Sequence, residues 1–289
     1  MNKAVLSMAI VTGFLLTSCA SKPGITASTP KEEKMEISNK EKVVALLKSI
    51  ETGAQEPAGY INPNKYIQHN LGVADGIEGF GAVLQQLPPN SAKVNTLRAF
   101  EDGDFVFTHT DYNFFGPKIG FDVFRFEDGK IVEHWDNLAE TPAAPNPSGH
   151  SMVDGPTKSE NLVATEANKT LVNNFVTDIL VNGDMTRLAG YFDGDNYIQH
   201  NSQVADGLSG LGQALEAMAA QGIVMKYDKV HRVLGEGNFV LVMSEGTFGG
   251  QATSFYDLFR VENGKIAEHW DVIETIAPKE SWKHNNGKF

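Results

Sequence analysis

Asp122 and Asp257 are the residues of this chain whose neighbours best suit them to move a proton. Each opens a hairpin that is written twice. Asp122-Val123-Phe124-Arg125 runs through Asp128-Gly129 to Glu133-His134-Trp135-Asp136, and Asp257-Leu258-Phe259-Arg260 runs through Asn263-Gly264 to Glu268-His269-Trp270-Asp271. Asp-Gly and Asn-Gly suit the positive φ angles of a two-residue type I′ turn. Such a turn sets Phe126 against Ile131 and Asp122 against Trp135. Alternation then predicts Asp122, Phe124, Phe126, Ile131, Glu133 and Trp135 on one face, with Val123, Arg125, Val132, His134 and Asp136 on the other. The first face is the more aromatic and is assigned to a pocket. A carboxylate beside an indole there is desolvated, which raises its pKa toward that of a general base working near neutrality. Asp257, Phe259 and Trp270 repeat the arrangement. The alternative is structural, with both aspartates paired to Arg98 and Arg232. His134 and His269 fall on the opposite face and read as sheet-packing or interface residues.

A second repeated stretch lies upstream. Tyr66-Ile67-Gln68-His69-Asn70 returns as Tyr197-Ile198-Gln199-His200-Asn201, and Val73-Ala74-Asp75-Gly76 as Val204-Ala205-Asp206-Gly207. An ordered repeat of this kind is an internal duplication and fixes the domain count. Tyr66, His69, Tyr197 and His200 are candidates for the pocket wall; the two histidines could equally bond backbone at a helix-to-loop junction. His69, His109 and Asp122 could meet at a metal, but no dense ligand spacing supports it, so neither metal nor cofactor is expected. Dinucleotide, P-loop and nucleophile-elbow motifs are absent from the sequence.

The elements that must position these residues follow from periodicity. Val43, Val44, Leu46, Leu47 and Ile50 have helical spacing behind a cap at Ser38 or Asn39. Leu171, Val172, Phe175, Val176, Ile179 and Leu180 form a stronger stripe that Asn182-Gly183-Asp184 stops. A further helix follows each Asp-Gly pair, and the rest of each copy reads as strands punctuated by Gly, Asp and Asn. Helices followed by an antiparallel sheet make an α+β pattern. The predicted division is a signal peptide over 1–18, a flexible tether over 19–40, a first domain over 41–141, a proline-rich linker over 142–160 and a second domain over 161–289.

Composition narrows the partners. The formal charge of −12 argues against nucleic acid, which needs clustered Lys and Arg. Lys3 followed by the apolar run from Ala4 to Leu16 reads as a secretion signal too short to span a bilayer. Leu16-Thr17-Ser18-Cys19-Ala20 resembles a bacterial lipobox. Cys19 is the single cysteine, so an intrachain disulfide is excluded and lipid attachment is expected. The expected location is a membrane-anchored protein of the cell envelope, facing the periplasm or the outer side.

The hairpin Asp-x-Phe-Arg-x-x-x-Gly-Lys-Ile-x-Glu-His-Trp-Asp, joined to Tyr-Ile-Gln-His-Asn, resembles the SnoaL-like branch of the NTF2-like superfamily across both copies. The resemblance implies two cone-shaped α+β barrels, each with N-terminal helices packed on a curved antiparallel sheet over a pocket. It implies cofactor-independent acid–base chemistry, an aldol condensation, cyclisation or isomerisation of a small carbonyl compound. By this resemblance Asp122 is the base and His109, on the preceding strand, its partner or the donor to an enolate oxygen. The second copy has Met243 at the aligned position, which leaves its chemistry in doubt. A non-catalytic module binding a small hydrophobic ligand is the alternative, and a purely structural repeat a third. Relatives often dimerise through the sheet, which implies an intrachain pseudo-dimer with Arg125, His134 and Asp136 meeting Arg260, His269 and Asp271.

Overall fold

The computed structural model describes residues 37–289 except Pro89; the lipobox-like segment and Cys19 lie outside the described residues. Helix α1 (Asn39–Thr52) starts in a capping box, in which the Ser38 side chain accepts from the Glu41 amide and Glu41 reaches back to the Ser38 amide. Strand β1 (Ile67–Gln68), helix α2 (Gly76–Gln86) and strands β2 (Lys93–Asp102), β3 (Phe105–Asn113), β4 (Pro117–Glu127) and β5 (Lys130–Glu140) complete the first copy. The second repeats the order with α3 (Thr165–Phe175), β6 (Ile198–Gln199), α4 (Gly207–Ala220), β7 (Met225–Glu236), β8 (Phe239–Phe248), β9 (Gln251–Glu262) and β10 (Lys265–Thr275). The protein is mixed α+β with two five-stranded sheets, ordered β1-β5-β4-β3-β2 and β6-β10-β9-β8-β7. The first strand of each order lies parallel to its neighbour and the remaining pairs are antiparallel.

Each sheet has two covered faces. On one, the copy's own helices pack: Val43, Leu46 and Leu47 of α1 meet Val94, Val106, Phe124, Phe126 and Ile131. On the other, the sheets meet in one core that joins Phe100, Phe107, Phe121, Val123 and Trp135 to Phe239, Leu241, Met243, Tyr256, Leu258 and Trp270. Two arginines cross this seam reciprocally. Arg98 lies over the Trp270 ring at 4.4 Å, and Arg232 over Trp135 at 4.9 Å. Asn137 donates across it to the carbonyls of Ser254 and Val272, each at 2.9 Å.

Both hairpins turn as expected, with Asp128, Gly129, Asn263 and Gly264 all at positive φ. The register beyond the turn differs from simple alternation. A bulge places Phe126 opposite Ile131 but Arg125 opposite Glu133, so Val132 is the extra residue. Ala267 is the extra residue in β10. One inserted residue moves the remainder of the strand to the other face. Asp122 therefore faces Asp136, Phe124 faces His134, and Val123 faces Trp135. The bulge lets Ile131 and His134, three apart, share the helix-covered face, while Glu133 takes the other and meets Arg125 at 2.6 Å.

Candidate active site

Because of that bulge, the acid–base groups gather under the helices. Asp122 of β4 and His134 and Asp136 of β5 place ligand-type atoms within 4.8 Å of one another, and so do Asp257, His269 and Asp271. Tyr112 donates to Asp122 Oδ2 at 2.6 Å, His134 Nε2 lies 3.2 Å from Asp122 Oδ1, and Asn70 donates to Asp136 Oδ2 at 2.6 Å. The second copy matches this, with His269 Nε2 at 3.0 Å from Asp257 Oδ1 and Asn201 at 2.7 Å from Asp271 Oδ2.

The repeated glutamine fixes where the proton sits. Gln68 Oε1 accepts from the backbone amides of His69 at 2.9 Å and Asn70 at 2.8 Å, so this atom must be the carbonyl oxygen. It also lies 3.0 Å from His134 Nδ1, which must then carry a hydrogen. His134 Nε2 and Asp122 Oδ1 are left to share a proton. Gln199 holds His269 in the same way, at 3.0 Å. Asp136 Oδ1 is the odd atom: buried, in a residue 5 % exposed, with no hydrogen-bond partner.

Electrostatics follow the burial. Desolvation pushes the hydroxyls of Tyr66, Tyr112, Tyr197 and Tyr227 above the usual phenol range, and the nearby aspartates add to it. They remain neutral, and Tyr112 and Tyr227 donate to the aspartates. Desolvation also raises Asp271. For His269 burial pulls downward, but the Asp257 hydrogen bond and the Asp271 and Asp257 charges outweigh it, and the net shift is upward.

The phenol above the aspartate comes from different strands in the two copies. Tyr112 of β3 is paired with Val94 of β2, whereas Tyr227 of β7 is paired with Gly246 of β8. Tyr227 reaches Asp257 Oδ2 at 3.2 Å. A compensating exchange sits on the next strand: Gly120 lies beneath Tyr112, where an added Cβ would come 3.2 Å from the ring, and Phe255 stacks on Tyr227 at 4.2 Å.

Several expected site residues lie elsewhere. His109 pairs with Phe121, stacks on it at 4.4 Å, and faces the seam between the sheets; Asp122 pairs with Thr108 and faces the helices. The two are not brought together. Burial and then the Arg98 charge hold His109 well below the ordinary imidazole range. Trp135 and Trp270 are seam residues, not pocket wall, since the bulge turned them over. His69 stacks on Trp135 at 4.7 Å and contacts Glu133 at 2.9 Å; His200 stacks on Trp270 at 4.5 Å and contacts Glu268 at 2.7 Å. Both histidines face the seam, and no metal set forms from His69, His109 and Asp122. Tyr66, Tyr197, Phe124 and Phe259 do lie on the helix-covered face, the last two stacked on His134 and His269 at 4.6 and 4.7 Å. Arg98 and Arg232 pair with neither aspartate. His134, Asp136, Gln68, Asn70 and Tyr112 were not anticipated, and the repetition of four of these five in the second copy was the available signal.

Donor sets for a cation among the described residues would be His150, Asp154 and His200, and Asp122, His134 and Asp136 with their counterparts. In the last two, the imidazole and the first aspartate already bond each other and a tyrosine bonds that aspartate, so a single carboxylate oxygen of the first copy's set stands free. Such a set suits proton transfer better than metal binding. Among the described residues, two of the cavities open at the surface. One of about 380 Å³ lies under residues 141–154, and one of about 740 Å³ runs along Asp193, Asp195, Tyr197 and Arg260. Tyr197 is the one group of the acid–base networks in either wall.

Residues 172–269 match the SnoaL-like domain family, so the second copy carries one SnoaL-like domain. Among solved structures, an NTF2-like protein of unknown function from Cytophaga hutchinsonii is 18% identical, with 37% of this chain and 94% of that chain covered and a TM-score of 0.32. A candidate polyketide cyclase from Bacillus cereus is 21% identical, covers 34% and 71%, and scores 0.30. An epoxide hydrolase of the LEH-like type from Mycobacterium tuberculosis is 23% identical, covers 38% and 84%, and scores 0.29. No curated protein matches.

Proposed function

We propose that each copy is a cofactor-independent acid–base centre acting on a small carbonyl compound, by enolisation leading to isomerisation or aldol cyclisation. The observation that carries this is the unpartnered Asp136 Oδ1 beside the proton-sharing pair of Asp122 and His134. A carboxylate oxygen with a free lone pair in a desolvated site can take a proton from carbon. In this reading the C–H electron pair moves to the carbonyl, and the Asp122–His134 pair, stiffened by Tyr112 and Gln68, supplies a proton to the developing oxyanion. Asp271, Asp257, His269 and Tyr227 take the corresponding roles. The SnoaL-like match over the second copy supports the reading. The lipobox-like stretch at Cys19 supports placing both sites on a membrane-anchored envelope protein that meets its substrate outside the cytoplasm.

Deuterium exchange α to the carbonyl, followed by proton NMR in D2O over a panel of small ketones, aldehydes and cyclic enones, tests this. The Asp136→Asn, Asp271→Asn double variant is expected to lose at least about 100-fold in exchange rate. Full exchange in that variant would refute the assignment. A second reading rests on the depth of the site, where Asp122 is 4 % and Asp257 1 % exposed: a binding module without chemistry. Wild-type protein that binds an apolar ligand tightly but exchanges nothing would establish it.

A further inference from the structure

The segments that follow the two sheets are exchanged between the copies. The chain leaving β10 of the second copy returns to the first. Lys283 donates its amide to the Leu71 carbonyl at 3.0 Å, and Asn286 donates to the Gln68 carbonyl at 3.0 Å and to Asp75 at 2.7 Å. The Gly287 carbonyl lies 2.9 Å from His69 Nδ1. The chain leaving β5 does the same for the second copy. There Asn146 donates to the Gln199 carbonyl at 2.6 Å, and the Ser151 carbonyl lies 2.8 Å from His200 Nδ1. Each arm thus clasps the backbone whose side chains hold the imidazole and the second aspartate of the opposite site.

The arms differ in the residue after the shared carbonyl. In the arm from β5 it is Met152; in the C-terminal arm it is Lys288. Lys288 is 4 % exposed, bonds Glu274 at 2.9 Å, and brings its ammonium 3.8 Å from Asp136 Oδ1, the oxygen that lacks a hydrogen bond. Among the described residues, Asp271 has no lysine or arginine within ion-pair distance.

We propose that Lys288, delivered by the second copy, is a positioning residue of the first site that keeps Asp136 ionised and ready to accept a proton, so that the two sites are not equivalent. This rests on the reading of Asp136 as the base. The charged and titratable groups around Asp136 are Asp122 and His134 on its own sheet, Glu274 of β10, Lys288 of the arm, and the phenols of Tyr66, Tyr112 and Tyr256. Of these, Lys288 is the group that supplies a fixed positive charge. For Asp271 the charge that opposes burial and Asp257 is that of His269, aided by hydrogen bonds from Asn201 and the backbone, with no lysine among them. The first site therefore has a lysine ammonium beside its base, and the second has none among the described residues.

The test is carboxyl-carbon NMR titration of the full soluble chain with labelled aspartate, which needs no substrate and reads out whether or not any carbonyl compound turns over. In the wild type Asp136 is expected to titrate below Asp271. Lys288→Met should raise the Asp136 midpoint by a pH unit or more, a tenfold change in its proton affinity, since an opposite charge at this range moves a carboxylate by about 1–3 units. Asp271 should not move, and Lys288→Arg should restore Asp136. An unmoved Asp136 midpoint, or an equal shift of Asp136 and Asp271, overturns the proposal. The wild-type order of the two midpoints decides it even if Lys288→Met does not fold: Asp136 titrating at or above Asp271 refutes it.

Discussion

Arg98 and Arg232 occupy the same position in the two copies, and replacing each by methionine should have unequal costs. Arg98 is 1 % exposed and donates to the carbonyls of Val153 at 3.4 Å, Asp154 and Pro156 at 2.8 Å, while its other contact is His109 Nδ1 at 3.0 Å. Methionine would remove three charge-assisted bonds, two of them short, at about 1.5–3 kcal/mol for each of the two strong ones, while the Asp154 carbonyl keeps Trp270 Nε1 at 3.1 Å. Loss of the cation–π contact with Trp270 adds about 2 kcal/mol for a desolvated pair. An opposing term is large. Burial pulls the Arg98 pKa down to about 10, so removing the charge recovers roughly 3 kcal/mol at 1.36 kcal/mol per unit. The net expectation is a loss of about 3 kcal/mol. Arg232 has two ring contacts, Phe105 at 4.5 Å and Trp135 at 4.9 Å. Half-buried contacts of this kind are worth about 0.5–1 kcal/mol each, so Arg232→Met should cost about 1 kcal/mol. Urea unfolding at constant m value measures both. The shared core should make each transition single. Equal losses from the two variants, or a loss below about 1 kcal/mol for Arg98→Met, would show that the carbonyl bonds do not fasten the segment between the copies.

Two further outcomes are expected. The His269 ring should titrate above its ordinary value of about 6.5 in histidine NMR. Its contribution to stability is then complete below that value and is lost as pH rises through the folded-state midpoint; a midpoint below 6.5 would contradict the hydrogen bond to Asp257. Mass spectrometry of the mature N-terminus should find lipid on Cys19 and residues 1–18 removed, and an intact Met1 would end the anchor proposal.

The sequence displays the repeat, the helix stripes, the cap at Ser38 and both hairpin turns plainly, because each is a local property. It does not display the bulge. Val132 and Ala267 look like ordinary strand residues, and nothing in their type marks an extra position. That one residue decides whether Trp135 or His134 faces the helices, so a register counted from the turn places the wrong partner beside Asp122. The strict count did carry a warning: it put Glu133 on the apolar face and Val132 on the polar one. The exchange of Tyr112 for Tyr227 is hidden for a different reason. The hydroxyl is delivered to the same carboxylate from adjacent strands, so the two tyrosines never align, and the swap appears only once Val94, Gly120, Gly246 and Phe255 are seen around them. The family resemblance places His109 beside Asp122, whereas pairing with Phe121 sets the face it occupies.

The exchanged arms bear on how this gene can change. Because the clasp of Gln68 comes from Asn286 and the clasp of Gln199 from Asn146, neither half is a self-sufficient unit of inheritance. A cut near residue 158 yields two fragments, each carrying the other's missing piece, which makes the chain suited to complementation by co-expressed halves and poorly suited to loss of either one. Divergence is constrained in the same crossed pattern. A change in one arm must be matched by a change in the receiving loop of the other copy, 53 positions away for Asn146 and Gln199 and 218 for Asn286 and Gln68, so the copies are bound to evolve as a pair even while their sites drift apart.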